Sequence, residues 1–498
     1  MLTQRTSGIF LHVSSLPSPF GIGDMGPAAY AYVDWLVRAK QSLWQVLPVN
    51  PASAVRHYSP YEATSAFAGD PLLISPQLLC DCGLLAGKDL KLEKSLSDDR
   101  VAFAEVVSAK TALFNKAYEA FKSQPEPESF RLFCSEHSFW LDDYAVFSAH
   151  SASVPNMSWW EWPVALRDRK ELKLDEVRDE AEDVIRKEKF LQYLFFGQWF
   201  RLKCYANERG IAIVGDIPFY VGRDCADVWA HPDVFKLGDD KKPKAVAGVP
   251  PDCFSDTGQL WGNPVYDWDQ LQKANYRWWI QRLRHNLAMF DVVRIDHFRG
   301  FAANWEIPAD SKTAAVGRWS PGPGRRFFGE VFRHFPFAPI FAENLGIVTA
   351  DVGELIREFN LSGMEVLLFA FDGDASNPYL PHNHVPDAVL YTGTHDNNTI
   401  RGWFDDEAGH AQKEKLFAYL GHEVSSQYVH LELIRMAMKS VSKVVIIPMQ
   451  DVLGLGSAAR MNRPATLVGN WEWRMRHDQA AQAPDRLIAE FVRIYGRT

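Results

Sequence analysis

Eight short runs of β-branched and other apolar residues constrain this chain most, because each ends in polar or charged residues. They are GIFLHV (8–13), SLWQVLPVNP (42–51), IAIVGDIPFYV (211–221), DVVRIDH (291–297), PIFAENLG (339–346), GMEVLLFAFD (363–372), AVLYTGTHDN (388–397) and KVVIIPMQD (443–451). Runs of this length and composition read as buried strands. Helical periodicity lies between several of them: residues 27–40 open on Pro27, residues 191–209 stop before Gly210, and 274–289 and 425–440 are amphipathic. Eight buried strands alternating with helices predict an α/β protein, a (β/α)8 TIM barrel.

The spacing of the runs is uneven. About 160 residues separate the second from the third, where a βα loop needs roughly 2–6. Residues 1–498 are therefore read as one catalytic barrel in which 60–205 form an inserted, mostly helical subdomain between strands 2 and 3. A second insertion, 222–290, carries a loop at 247–268. The charged segment 168–188 and the SPGPG stretch at 320–324 are expected to lack fixed structure.

Composition narrows the function classes. The 498 residues carry a formal net charge of −9, which argues against a nucleic-acid partner, since phosphate binding requires a basic face. No apolar run approaches the ~18 residues of a membrane helix, and the opening MLTQRTSGIFLHVSS lacks the pattern of a secretory signal. The six cysteines (80, 82, 134, 204, 225 and 253) include no CxxC pair. Free thiols in a cytoplasmic protein are the expectation.

Three run ends carry carboxylates: Asp296, Glu343 and Asp396, at separations of 47 and 53 residues. Barrel closure would gather them at the rim formed by the C-terminal strand ends. Paired carboxylates there suit glycosidic bond cleavage, one attacking the anomeric carbon and the other protonating the leaving oxygen. Arg294, two residues before Asp296, points to the same face of a strand and would favour the ionised nucleophile. Glu343, beside Phe341 and Ala342, has surroundings compatible with the raised pKa of a general acid. Taken singly, an Asp after a strand is a turn or cap residue, an Arg–Asp pair at i, i+2 is a structural ion pair, and His297 and His395 are ordinary core histidines. The argument rests on their coincidence at one rim.

These segments resemble a known family. VRIDHFRG, AENLG and GTHDNNT are similar to the three catalytic segments of the 4-α-glucanotransferases (amylomaltases, or disproportionating enzymes) of glycoside hydrolase family 77, in the α-amylase clan. The likeness extends over nearly the whole chain, through GIFLHVSSLPSPFGIGD, LWQVLPVNP, YSPYEATSAFAGDPLLI, GDIPFYVGRDCADVWAHPDVF, AGVPPDCFSDTGQLWGNPVYDW, NWEIPA, LPHN and GNWEWR.

The resemblance implies a nucleophile at Asp296, a general acid/base at Glu343 and a transition-state-stabilising carboxylate at Asp396. It implies substrate contacts at Tyr61, Asp216, Trp261, Arg294, His297 and His395, with Trp261 in a loop folded over the acceptor side. It also implies a barrel with no separate C-terminal β-sandwich domain and retaining transfer between α-1,4-glucans, with glucose as an acceptor and with neither cofactor nor metal. Asn344 stands where the family often has Asp, removing a charge beside Glu343. Ala465 stands where Gly is expected, which touches loop shape.

Three other readings compete. A plain α-1,4-glucan hydrolase would use the same three acids. A metal-dependent barrel hydrolase would need His382–Asn383–His384 as ligands, although Pro381 and Pro386 place that motif in a loop. A glycan-binding protein would merely keep the barrel.

Overall fold

The computed structural model describes residues 4–92, 94–251, 256–346 and 349–497; Cys253 and Phe254, both in the 247–268 segment, lie outside them. Twelve strands occur in chain order among the described residues: β1 Thr6–Phe10, β2 Leu43–Gln45, β3 Ala212–Ile217, β4 Ala245–Val249, β5 Gln259–Pro264, β6 Val292–Ile295, β7 Ala303–Pro308, β8 Arg318–Pro321, β9 Ile340–Ala342, β10 Gly363–Val366, β11 Ala388–Tyr391 and β12 Val444–Pro448. Eight of them form one sheet in the order β10-β11-β12-β1-β2-β3-β6-β9, every pairing parallel. The ends meet through a parallel bridge between Phe341 and Ser362, where the Ala342 amide donates to the Ser362 carbonyl at 2.9 Å. The sheet closes into a (β/α)8 barrel, and each of the eight apolar runs contributes one of its strands.

Most residues of the eight strands are apolar and buried, as expected of parallel strands covered on both faces. β1, β11 and β12 are buried throughout. Gly215 in β3 is needed for close approach: a Cβ there would lie 2.2 Å from the Phe290 ring. Between β2 and β3 the long elements are helices, including Phe103–Lys122, Ser138–Ser153 and Glu182–Glu208. After β12 come helices and turns, ending with Asp485–Tyr495.

Several expectations need correction. Residues 168–188 are ordered as the helix Glu171–Glu180 and the start of Glu182–Glu208. Leu174 and Val177 bury one face of the first, while Arg178 pairs with Glu171 and Asp175 on the other. SPGPG runs from β8 into the helix Gly324–His334.

The segment 247–268 is not a simple loop. β4 and β5 pair within it, and with β7 and β8 they build a four-stranded antiparallel sheet in the order β5-β4-β7-β8. Half of this sheet comes from beyond residue 290. Cross-strand contacts such as Trp305 opposite Trp319 hold it together.

Candidate active site

Parallel strands of a closed barrel present their C-terminal ends to one rim, and the chain's ionisable residues collect there. Asp216 (β3) and Arg294 (β6) are cross-strand partners. Asp296 and His297 follow β6, Glu343 follows β9, and His395 and Asp396 lie in the turn after β11. Tyr61 sits in the short turn Pro60–Glu62 that follows β2.

A buried guanidinium is the hub of the site. Arg294 is 4 % exposed, donates from one terminal nitrogen to both oxygens of Asp216 at 2.8 and 2.7 Å, and reaches Asp296 Oδ1 with the other at 2.9 Å. Burial opposes its charge, but Asp216 and Asp296 outweigh burial and hold its pKa well above the ordinary arginine value. Burial raises the Asp216 pKa, an effect the guanidinium opposes. The Tyr61 hydroxyl donates to Asp216 Oδ2 at 2.8 Å, and its ring stacks on His395 with centroids 5.0 Å apart. His395 Nε2 lies 3.4 Å from Asp396 Oδ2. The charge within this apolar strand is thus paired on two sides.

Glu343 is held differently. Its two oxygens accept from the backbone amides of His297 at 2.8 Å and Leu345 at 2.6 Å. Burial and the nearby Asp296 charge nevertheless push its pKa up to about 7, against the opposing pull of Arg294 and of those amides. A carboxyl that keeps its proton near neutrality therefore stands beside a carboxylate bound to arginine. The adjacent Asn344 turns away to the barrel seam, its Oδ1 accepting from the Met364 amide at 2.7 Å.

His297 adopts a left-handed conformation, φ 46°, which turns the chain out of β6 and brings its amide to Glu343. Burial lowers its imidazole to about 4, so the ring is neutral at physiological pH. Trp261 of β5 meets that ring edge-on at 4.9 Å, and its indole nitrogen donates to Gln259 Oε1 at 3.2 Å. The small antiparallel sheet thereby forms one wall of the site.

A cavity of about 690 Å³ opens over this network; Tyr61, Trp261, Asp296, His297, His395 and Asp396 line it. Arg294 and Asp216 are buried, and the half-buried Glu343 is not among its lining residues. All nine residues read as catalytic or substrate-contacting in the sequence join one connected set. Three further groups were not singled out: Tyr220 and Trp471, which line the cavity, and Asn462, which donates to Asp396 at 2.6 Å. Tyr220 and Trp471 sit inside segments that carry the family likeness; Asn462 sits in the RMNRPATLVGN stretch that contains Ala465, but its partner is 66 residues away.

His382 and His384 do not face the cavity. His382 hydrogen-bonds the Tyr419 hydroxyl and the Ala375 carbonyl, and His384 Nε2 bonds the Tyr379 carbonyl.

Comparison with known proteins places this arrangement. Residues 11–480 match the family model described as 4-alpha-glucanotransferase, glycoside hydrolase family 77. The 4-alpha-glucanotransferase of Aquifex aeolicus is 44% identical over 494 residues, covering 99% of this chain and 100% of that protein. That of Synechocystis is 44% identical over 505 residues, covering 100% and 99%. Among solved structures, the amylomaltase of Streptococcus agalactiae in complex with acarbose superposes with a TM-score of 0.96 at 37% identity, covering 99% of this chain and all of that one. The Corynebacterium glutamicum amylomaltase shares the fold, with a TM-score of 0.76 at 18% identity, covering 99% of this chain and 75% of that one. The chain belongs to the 4-alpha-glucanotransferase family of enzymes.

Proposed function

We propose that this enzyme moves α-1,4-glucan segments from a donor maltodextrin to the 4-hydroxyl of an acceptor glucan or glucose, by retaining double displacement. The observation that carries the reading is the unlike pair of acids: Glu343 with its pKa raised to about 7, and Asp296 bound to a buried arginine at 2.9 Å. Retaining chemistry needs one carboxyl protonated and the other ionised at the same pH.

In the first half-reaction Asp296 attacks the anomeric carbon while Glu343 gives its proton to the departing glycosidic oxygen. This leaves a covalent glycosyl-enzyme and a carboxylate at Glu343. Glu343 then takes the proton of the acceptor's 4-hydroxyl as that oxygen attacks the anomeric carbon, and Asp296 departs as carboxylate. Asp396 and His395 hold hydroxyls of the reacting sugar, and Asp396 stabilises the positive charge of the oxocarbenium-like transition state. Asp216, Arg294 and Tyr61 fix the sugar and the nucleophile from below, and Trp261 and His297 form the acceptor wall.

None of these steps calls for a metal or cofactor. Neither nucleic acid nor a membrane is a proposed partner; no described helix is long and apolar enough to cross a membrane. Free thiols at Cys80, Cys82, Cys134, Cys204 and Cys225 support a cytoplasmic location.

Maltotriose tests transfer directly. Glucose and a ladder of longer oligosaccharides should form while the count of reducing ends stays constant. A steadily climbing count would identify a hydrolase and overturn the reading.

A further inference from the structure

Asp396 is the most exposed of the three acids. Its side chain is 48 % exposed, against 26 % for Asp296, and it sits on a turn rather than directly at a strand end. Such a carboxylate samples several rotamers unless something fixes it. His395 Nε2 approaches one oxygen, at 3.4 Å. The short, well-directed contact is from Asn462, whose side-chain amide donates to Asp396 Oδ1 at 2.6 Å.

The backbone around this contact is doubly clasped. The Asn462 amide donates to the His395 carbonyl at 3.1 Å, and Arg460 donates to the Asp396 carbonyl at 2.8 Å. Arg460 also bonds the Asn462 carbonyl at 2.7 Å and Glu407 at 2.8 Å, so the clasp is itself braced. Asn462 lies at the neck of a loop pinched by Trp471 N to Met461 O at 2.7 Å and by the Arg463 amide on Asn470 Oδ1 at 2.9 Å. The body of that loop, residues 463–467, walls the cavity.

We infer that Asn462 is the positioning residue for Asp396, setting the rotamer in which the third carboxylate meets the reacting sugar. The inference rests on the proposed role of Asp396. Asn462 on Oδ1 fixes where Oδ2, the oxygen beside His395, stands in the cavity, and a misplacement of about an ångström is enough to lose much of an electrostatic contribution. Because the donor is anchored in the cavity wall, the geometry of that wall and the placement of the acid are tied together.

The test is a double-mutant cycle on maltotriose disproportionation, using Asn462→Leu, which keeps the volume and removes the donor, and Asp396→Ala. Asn462→Leu alone should lower kcat roughly 10- to 100-fold with KM within about twofold, and Asn462→Gln should recover part of the loss. In the Asp396→Ala background Asn462→Leu should cost almost nothing more. Retention of kcat, a change confined to KM, or losses that multiply in the double variant would overturn the inference. A fall in kcat for Asn462→Leu accompanied by full activity of Asp396→Ala would instead remove the role of Asp396 on which it rests. Thermal melting of each variant separates these outcomes from loss of fold.

Discussion

In the proposed mechanism Glu343 is the acid–base group, and its environment makes a signed prediction. An ordinary glutamic acid loses its proton near 4.5, whereas here the pKa is about 7. Only the protonated form assists departure of the first leaving group, so kcat/KM should fall roughly tenfold per unit as pH rises above about 7. Stability follows the same sign. Between pH 4.5 and 7 the folded chain binds a proton that the unfolded chain has released, so a contribution present below 4.5 is lost as pH climbs through 7. Glu343→Gln lacks this titration. Its melting temperature relative to the parent should therefore be higher at pH 8 than at pH 4.5, while its transfer rate drops by several orders of magnitude. A melting difference that does not change with pH would show that Glu343 titrates normally. The sequence pointed to this residue through its apolar neighbours and strand-end position. What it could not supply was the pair of backbone amides on the carboxylate, since one comes from His297, 46 residues away.

Strands of the barrel were legible because a buried parallel strand is a continuous apolar run whatever surrounds it. The antiparallel sheet was not. QLWGNP and RWSP contain or adjoin glycine and proline, which read as loop signals, and their strand character comes from partners distant in sequence. The missed sheet changes how the acceptor wall should be tested. Replacing 247–268 by a linker would remove β4 and β5 and with them half of the sheet, so loss of activity would be uninformative. Trp261→Ala is the cleaner change. It removes the ring that packs edge-on against His297 and leaves the β5 backbone pairing intact. On the proposed mechanism, loss of that wall would admit water beside the glycosyl-enzyme and weaken the hold on the acceptor. Reducing-end release relative to glucose release from maltotriose should rise severalfold; an unchanged ratio would show that the indole does not favour transfer over hydrolysis.

At the scale of the whole molecule the barrel separates function from stability. The C-terminal strand ends carry the site, and the N-terminal ends carry a second buried arginine with the opposite kind of surroundings. Arg497 is completely buried yet has no carboxylate partner among the described residues. It donates to the carbonyls of Thr6, Met438, Ser440 and Lys443. These carbonyls belong to the starts of β1 and β12 and to the end of the helix Val429–Lys439, so the guanidinium bolts the seam where the first and last strands pair. Burial without a countercharge pulls its pKa down to about 9, still above physiological pH, so the group stays charged and its bonds charge-assisted. Arg5 reinforces the same joint through the Met438, Ser440 and Tyr495 carbonyls. Arg497→Leu would remove a charge-assisted donor from each of these carbonyls, although those of Met438 and Ser440 keep Arg5 and that of Lys443 keeps the Thr6 amide; a bond lost out of water's reach costs about 1–3 kcal/mol. The offset is the desolvation penalty no longer incurred by a buried cation. The joint loses the side chain that spans β1, β12 and the helix end, so net destabilisation is expected, with melting lowered by several degrees. Transfer kinetics at 25 °C should be unchanged, because the substitution lies at the opposite end of the barrel from Asp296, Glu343 and Asp396. A variant that melts with the parent would show that the seam is held by strand pairing alone. A variant that folds stably but loses kcat would show that the two ends of the barrel are mechanically coupled.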